Sequence, residues 1–282
     1  MKVAILGATG MLGSMVHRYL SQQPGYDLSV STRYVLDAEN TTVTLLSNLL
    51  RGHDYAINCI GIIKPRIDEL DPISVKRAIQ VNSLFPHLLA KAAEATNCKV
   101  LQIATDCVFS GREGGYTESS PHDATDVYGK TKSLGEVHSP NVHHLRCSII
   151  GPEIKGHKSL LDWFLGQEQK ANLAGFVNHK WNGITTLAFA KLCHRVMSQG
   201  IELPFLLHVV PQNVATKAEL LDQFRYSFAR LDIRVSEFEA SVAVNRTLTT
   251  NAPELCADLW QLAGYVAPPT IQQMIEELAA YQ

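Results

Sequence analysis

Tyr128 and Lys132 are the two residues of this 282-residue chain whose types and spacing most directly suggest chemistry. A free tyrosine titrates near pH ~10, so it is a poor proton donor or acceptor at neutral pH unless its pKa is lowered. Residues four apart on a helix share a face, so the lysine ammonium would lie near the phenol oxygen and lower the tyrosine pKa. The segment YGKTK therefore predicts either a general acid with the cation that tunes it or an ordinary exposed helical turn.

A hydroxyl group from a second element would complete such a site. Thr105 ends the predicted strand KVLQIAT (99–105). Ligands of open α/β sheets bind outside the carboxyl ends of the strands. Thr105 is therefore predicted to share a substrate oxygen with Tyr128.

The loop GATGMLG joins the predicted first strand, KVAIL (2–6), to a predicted helix that starts at residue 11. Its glycines allow a tight turn and a close approach of the backbone to a pyrophosphate, which the amino end of the helix would face. The spacing is GxxGxxG rather than the commoner GxGxxG. The predicted cofactor contacts of this loop are Gly7, Thr9, Gly10, Met11, Leu12 and Gly13.

Arg33 follows the predicted second strand, YDLSVST (26–32), about twenty residues after the last loop glycine. NAD sites usually place an acidic residue there to bind the ribose 2′-hydroxyl. A cation suits a 2′-phosphate instead, so the predicted cofactor is NADPH, with NADH as the alternative. The other interpretation of Arg33 is an ordinary surface arginine.

Short apolar segments alternate with helical patterns over the first half of the chain, and the alternation weakens after Gly151–Pro152. This pattern predicts an α/β fold with a Rossmann-like, doubly wound parallel sheet. We expect a cofactor-binding domain over residues 1–150. Residues 151–282 are expected to form mainly a smaller C-terminal substrate-binding lobe, with the option that part of it returns to the sheet.

The composition excludes several classes of protein. The formal net charge is -2, and no basic run suggests nucleic acid as a partner. No apolar run approaches the ~18 residues of a membrane span. The six cysteines form no CxxC pair, so neither disulfides nor a metal site are expected. The first predicted strand leaves no room for a targeting segment, so the expected location is the cytoplasm.

Three motifs in this order, GATGMLG, TDCVFSG (105–111) and YGKTKSLGE (128–136), resemble the extended short-chain dehydrogenase/reductase superfamily. Within it, the chain is similar to the dTDP-4-dehydrorhamnose reductase-like sugar-nucleotide reductases. The resemblance covers about residues 1–150 and fades in the C-terminal part. It implies NADPH-dependent reduction of the C4 ketone of a nucleotide-activated 4-keto-6-deoxy sugar, in deoxysugar biosynthesis for a surface polysaccharide or glycan. It is compatible with a homodimer.

The resemblance also implies residue roles. Tyr128 would protonate the carbonyl oxygen, Lys132 would bind the nicotinamide ribose and lower the tyrosine pKa, and Thr105 would hydrogen-bond the substrate oxygen. Asn82 matches a recurring helix asparagine with either a structural or a catalytic role. Further implied cofactor contacts are Asp37 at the adenine and Cys59, Ile60 and Gly61 at the phosphates and ribose. The substrate contacts expected are Asp106, Cys107, Trp181 and Asn182.

Departures from the family pattern leave other functions open. Cys107 stands where the rhamnose enzymes usually carry tyrosine, and RCSIIGP (146–152) lacks their tryptophan. In the GDP-fucose synthase branch, a cysteine two residues after the catalytic serine acts with a histidine to epimerise the sugar. Cys107 and His157 could form such a pair, which gives an epimerase–reductase as the alternative. A non-catalytic cofactor-binding subunit is the further alternative, although such subunits usually lose the tyrosine or the lysine.

Overall fold

Thirteen strands and ten α-helices are found in residues 1–281, the part of the chain that this computed structural model describes. The strands are β1 (Lys2–Leu6), β2 (Asp27–Ser31), β3 (Tyr55–Asn58), β4 (Lys99–Ala104), β5 (Val142–Arg146), β6 (Ile149–Ile150), β7 (Asn172–Phe176), β8 (His179–Trp181), β9 (Ile184–Thr185), β10 (Leu206–His208), β11 (Ala215–Thr216), β12 (Arg234–Phe238) and β13 (Val244–Asn245). The helices are α1 (Met11–Leu20), α2 (Val43–Leu50), α3 (Pro72–Ala78), α4 (Phe85–Thr96), α5 (Val127–Leu134), α6 (Leu160–Leu165), α7 (Thr186–Gln199), α8 (Lys217–Ser227), α9 (Pro253–Leu262) and α10 (Ile271–Tyr281).

A parallel sheet of six strands, in the order β10-β5-β4-β3-β1-β2, forms the centre of the protein. Strand β1 pairs with β2 on one side and with β3 on the other, so the strand order reverses at β1. Such a switch point opens a crevice at the carboxyl ends of the strands. The topology confirms the predicted doubly wound parallel sheet.

Helices cover both faces of this sheet, and for that reason the residues of β3 are all buried. On one face, α2 and α4 pack together over apolar residues such as Leu46 and Leu89. On the other face, α1 and α7 pack together, and Val16 and Phe189 belong to the same core. That core continues into the C-terminal part of the chain, which also supplies β10 to the sheet edge.

The predicted helix over 72–97 is interrupted earlier than its proline suggests. A π-helical turn spans Ile79–Leu84, between α3 and α4. Pro86 has no N–H to donate to the carbonyl of Asn82, four residues earlier, so the wider turn lies where an α-helical hydrogen bond is missing. The Asn82 side chain bonds both backbone groups of Ile62 and donates to Thr131 Oγ1 at 3.3 Å. Asn82 therefore links the loop after β3 to α5, a structural role.

The C-terminal part carries small sheets of its own. Strand β8 lies between β11 and β13, and β7 pairs with β12. The predicted strand over 142–150 divides into β5 and β6, because β6 leaves the main sheet and pairs with β9. Helix α8 begins with a capping box in which Thr216 and Glu219 each bond the other's backbone N–H. No helix in residues 1–281 has the length and apolar character needed to cross a membrane.

A buried guanidinium joins three elements of the sheet domain. Arg146, at the end of β5, is 0% exposed. It pairs with Glu136 just after α5 and donates to His208 of β10 at 2.8 Å and to His122 at 2.9 Å. Burial and the Arg146 charge lower the pKa of His208 to about 4, so its neutral ring can accept this hydrogen bond.

We expect Arg146→Met to destabilise the protein by about 3–5 kcal/mol, because it leaves the Glu136 carboxylate buried without its partner. The urea midpoint of unfolding, followed by circular dichroism, measures this loss. Lys91→Met is the matched control, since Lys91 pairs with Glu94 on the exposed face of α4 and its side chain is 70% exposed. A midpoint for Arg146→Met no lower than that of the control would contradict the prediction.

Candidate active site

A cleft follows the carboxyl edge of the sheet and contains adjoining cavities. One, of about 270 Å³, lies beside the end of β2, and another, of about 360 Å³, lies beside the end of β4. Gly10 and Arg66 line both of them, and they also line an open region of about 1100 Å³ at the cleft mouth. The cleft is therefore continuous past the glycine loop, as an extended ligand requires.

The glycine loop packs too closely for side chains at two positions. Gly7 has φ +82, and a Cβ on Gly13 would lie 2.3 Å from the carbonyl oxygen of Gly7. No side chain caps α1, and its first turn holds no acidic residue. The free N–H groups and the helix dipole at this end suit an anion, so the loop fits a dinucleotide pyrophosphate. The predicted residues that line the cleft are Gly7, Thr9, Gly10, Met11 and Leu12, whereas Gly13 lies buried behind the loop.

Two arginines meet one carboxylate in the cavity beside β2. Arg33 Nη2 lies 2.7 Å from Glu39 Oε1, and Arg77 Nε lies 2.6 Å from the same atom. Asp37 lines this cavity too, but its carboxylate accepts hydrogen bonds from Asn40 Nδ2 and from the N–H of Glu39. The Asn40 hydrogen bond is the main reason that the pKa of Asp37 is lowered. Asp37 thus shapes the turn that presents Glu39 to the two arginines.

The cavity beside β4 brings together Thr105, Tyr128 and Lys132, three residues that the sequence predicted to act together. Thr105 follows β4 directly, and its Oγ1 accepts a hydrogen bond from the N–H of Cys107 at 3.1 Å. Helix α5 starts after Asp126, whose carboxylate accepts from the N–H of Gly129 at 2.7 Å. This cap sets the first turn of α5, which carries Tyr128.

The predicted lowering of the Tyr128 pKa by Lys132 is wrong for the protein alone. Burial raises the pKa of Tyr128 above its ordinary value, and the nearby Cys107 adds to the rise, whereas Thr105 lowers it. Lys132 Nζ donates instead to the backbone carbonyl of Ile103 at 3.4 Å, and burial lowers the lysine pKa. Tyr128 is therefore held as the neutral phenol, which is the form that can donate a proton.

The predicted substrate contacts divide into two groups. Asp106, Cys107 and Trp181 line the cavity beside β4. Asn182 does not, and its amide bonds both backbone groups of Leu248, at 2.7 and 2.8 Å. The structure therefore places Asn182 outside the cavity lining, where its side chain holds the buried backbone of Leu248.

The predicted acid/base pair of Cys107 and His157 is also wrong. The His157 side chain is 70% exposed, lies outside the lining of the cavity that holds Cys107, and faces Asp162 at 3.4 Å. Burial and the Asp106 charge raise the pKa of Cys107 to about 12, which disfavours the thiolate. The cations that do line the cavity with Cys107 are Arg66, Lys132 and Lys217.

Sequence reasoning missed three cations of the cleft, Arg66, Arg77 and Lys217. Arg66 lies in a short 3₁₀ turn after β3, so its position in KPR, close behind NCIGI, was an available signal. Arg77 and Lys217 lie in no motif, and only the folding of α3 and α8 brings them to the cleft. In residues 1–281 no group of three or more histidine, cysteine, aspartate or glutamate side chains is placed to share a metal ion.

The sheet topology and the glycine loop define a Rossmann-like protein with a tyrosine and a lysine in its cleft. The chain belongs to the RmlD substrate binding domain family, whose profile matches residues 1–151. This confirms the resemblance inferred from the three motifs.

Curated relatives match about half of the chain. It is 30% identical over 141 residues to methionine adenosyltransferase 2 subunit beta of Pongo abelii, in a match that covers 48% of this chain and 41% of that protein. It is 29% identical over 143 residues to a dTDP-4-dehydrorhamnose reductase of Mycobacterium tuberculosis, covering 48% and 44%. The match thus spans less than half the length of either relative.

The fold is shared over the whole chain with solved structures. The dTDP-4-dehydrorhamnose reductase of Bacillus anthracis, solved in complex with NADP, superposes with a TM-score of 0.80 and 19% identity. The match covers 100% of this chain and 99% of that one. The C-terminal part therefore has the same architecture as this reductase, although its sequence resemblance has faded.

We expect Gly13→Ala to destabilise the protein by roughly 1–3 kcal/mol, because the added Cβ overpacks against the Gly7 carbonyl. Gly10→Ala is the matched control, since its Cβ would lie 3.4 Å from the same oxygen, an ordinary contact. Thermal unfolding of both variants measures the difference. Equal melting temperatures would show that the loop accommodates the methyl group without strain.

Proposed function

We propose that this protein is an NADPH-dependent reductase of the C4 ketone of a nucleotide-activated 4-keto-6-deoxy sugar, acting in deoxysugar biosynthesis for a surface polysaccharide or glycan. The observation that carries the proposal is the convergence of Thr105, Tyr128 and Lys132 on one cavity, continuous with an uncapped glycine-loop helix. Membership of the RmlD substrate binding domain family and the similarity to a named dTDP-4-dehydrorhamnose reductase support it.

Each residue of this group has a task in the proposed reaction. When bound, the cofactor supplies the hydride. Tyr128, neutral in its buried position, donates its proton to the oxygen that becomes an alkoxide, and Thr105 holds that oxygen with a hydrogen bond. Lys132 would hold the ribose of the bound cofactor. Burial of the site keeps water away from these steps.

The cofactor preference is proposed from the cavity beside β2. A 2′-phosphate placed there would compete with Glu39 for the guanidinium groups of Arg33 and Arg77, which bind phosphate well. NADPH is therefore the proposed cofactor, and NADH is the weaker alternative. A homodimer and a cytoplasmic location stay predictions.

A non-catalytic cofactor-binding subunit is the second candidate. One observation favours it, namely the similarity to methionine adenosyltransferase 2 subunit beta, which is named as a subunit. The retained Tyr128 and Lys132 favour the reductase. The two candidates differ in one result, because the subunit would bind NADPH without oxidising it.

The test follows NADPH absorbance with a panel of dTDP-, UDP- and GDP-linked 4-keto-6-deoxy sugars. We expect oxidation with one of them, and Tyr128→Phe should lower turnover by roughly 10²–10⁴-fold, the usual share of general acid catalysis. Its affinity for NADPH should stay the same in a fluorescence titration. NADPH binding without oxidation of any sugar would favour the subunit, and a fully active Tyr128→Phe would overturn the mechanism.

We expect Arg33→Ala to raise the KM for NADPH by about 10-fold or more, because charge-assisted hydrogen bonds contribute roughly 1.5–3 kcal/mol. The KM for NADH should change little, since NADH has no 2′-phosphate. Steady-state kinetics gives the KM for NADPH and for NADH, and the ratio of the two values measures the cofactor preference. Lys64→Ala serves as the control, because Lys64 is exposed and pairs with Asp126 rather than lining the cavity beside β2. Equal effects on both cofactors would exclude 2′-phosphate recognition by Arg33.

A further inference from the structure

Lys217 is held in a fixed position beside the candidate active site, although no motif contains it. It is the first residue of α8, and the capping box of Thr216 and Glu219 orders that first turn. Strand β11, just before it, pairs with β8, where Ala215 lies opposite Trp181. Lys217 Nζ lies 5.8 Å from the centre of the Trp181 ring. The backbone of two elements therefore directs this lysine to the cavity.

Two opposite charges face this cavity without pairing. Lys217 Nζ forms no hydrogen bond and no ion pair within the described chain, residues 1–281. Asp106 Oδ1 accepts from Thr105 Oγ1 at 3.3 Å and from Cys107 Sγ at 3.6 Å, whereas Oδ2 has no donor among these residues. Both side chains line the same cavity.

The two groups are near enough to influence each other. Burial lowers the pKa of Lys217, and the Asp106 charge is the largest influence that raises it again. Burial raises the pKa of Asp106, and both Arg246 and Lys217 lower it. Buried charges are costly unless they are paired or hydrogen-bonded. A ligand group that enters between them would satisfy both.

The space between Lys217 Nζ and Asp106 Oδ2, called the gap below, suits a hydroxyl group. A hydroxyl can accept a hydrogen bond from Lys217 and donate one to Asp106 at the same time. A phosphate or a carboxylate would suit the lysine but would be repelled by the aspartate. A methylene group would leave both charges unpaired, and sites of this kind reject analogues that lack the hydroxyl.

The position of the gap indicates which hydroxyl is recognised. In the proposed function, the Thr105 hydroxyl turns its proton from Asp106 Oδ1 to the reacting carbonyl oxygen, so that oxygen would lie within reach of Thr105 and beside Asp106. A group bound by the other oxygen of Asp106 therefore lies next to the carbonyl. In a hexose with a ketone at C4, the adjacent carbon that can carry a hydroxyl is C3.

We propose that Lys217 and Asp106 form a subsite for the C3 hydroxyl of the sugar, and that Lys217 is a specificity-determining residue. The inference rests on the proposed function for the identity of the reacting ketone. The chain would then select sugars with a free C3 hydroxyl and discriminate against 3-deoxy and 3-O-substituted ones.

The test compares the 4-keto-6-deoxy sugar nucleotide that the protein reduces with its 3-deoxy analogue. The wild type should prefer the hydroxylated sugar by about 10- to 100-fold in kcat/KM, the range of a hydrogen bond to a charged group. Lys217→Met should lower this preference by about five-fold or more, because only the Asp106 hydrogen bond to the hydroxyl is left, while the KM for NADPH stays the same. Lys217→Arg, which keeps a donor, should retain part of the preference.

Lys180→Met is the matched control. Lys180 lies on β8, directly opposite Thr216, but it is exposed and lines a separate depression with Glu219. This variant removes the same charge from a neighbouring position, so it should keep the full preference for the C3 hydroxyl. An undiminished preference in Lys217→Met would overturn the proposal, as would a wild type with no preference.

Binding experiments separate this inference from the proposed function. Calorimetry with the protein saturated by NADP⁺ measures the affinity for dTDP-, UDP- and GDP-linked 6-deoxyhexoses and their 3-deoxy counterparts. One outcome is a hydroxyl preference that depends on Lys217, without NADPH oxidation by any sugar of the panel. That outcome would support the proposed subsite and refute the proposed reductase activity. NADPH oxidation without such a hydroxyl preference would support the proposed reductase activity and refute the proposed subsite.

Discussion

The guanidinium of Arg146 has no access to solvent, and three elements must meet correctly for its charge to be satisfied. Glu136 follows the helix that carries Tyr128 and Lys132, and His208 belongs to the edge strand supplied by the C-terminal part. Because an unpaired buried charge is costly, this contact strongly disfavours arrangements in which α5 or β10 is displaced. The position of the candidate catalytic helix therefore depends on an ion pair outside the cleft.

The cleft itself follows from a second constraint, the direction of the parallel strands. All the sheet strands end at one edge, so the glycine loop after β1 and Thr105 after β4 open into the same crevice. The close approach of Gly13 to Gly7 lets α1 begin there with an uncapped amino end. The uncapped end of α1 and the candidate proton donor Tyr128 thus lie along one groove.

The electrostatics of the site come from burial more than from any single pair of charges. Low solvent access raises the pKa of Tyr128 and of Cys107, and it lowers the pKa of Lys132 and of Lys217. All four shifts favour the neutral forms. Such a site favours a neutral phenol as proton donor and ligand groups that satisfy the remaining polar atoms.

The sequence alone was sufficient for the sheet, the glycine loop and the grouping of Thr105, Tyr128 and Lys132, because these features are encoded in local patterns and in strand ends that must share an edge. It did not foresee that Asn182 and His157 lie outside the lining of the cavity beside β4, and it gave the wrong direction for the Tyr128 pKa shift. Those properties depend on which residues distant in the chain lie within contact distance and how far they are buried. Lys217 lines the same cavity as Asp106 only because the C-terminal part folds back over the sheet edge, and no pattern within either segment records that proximity.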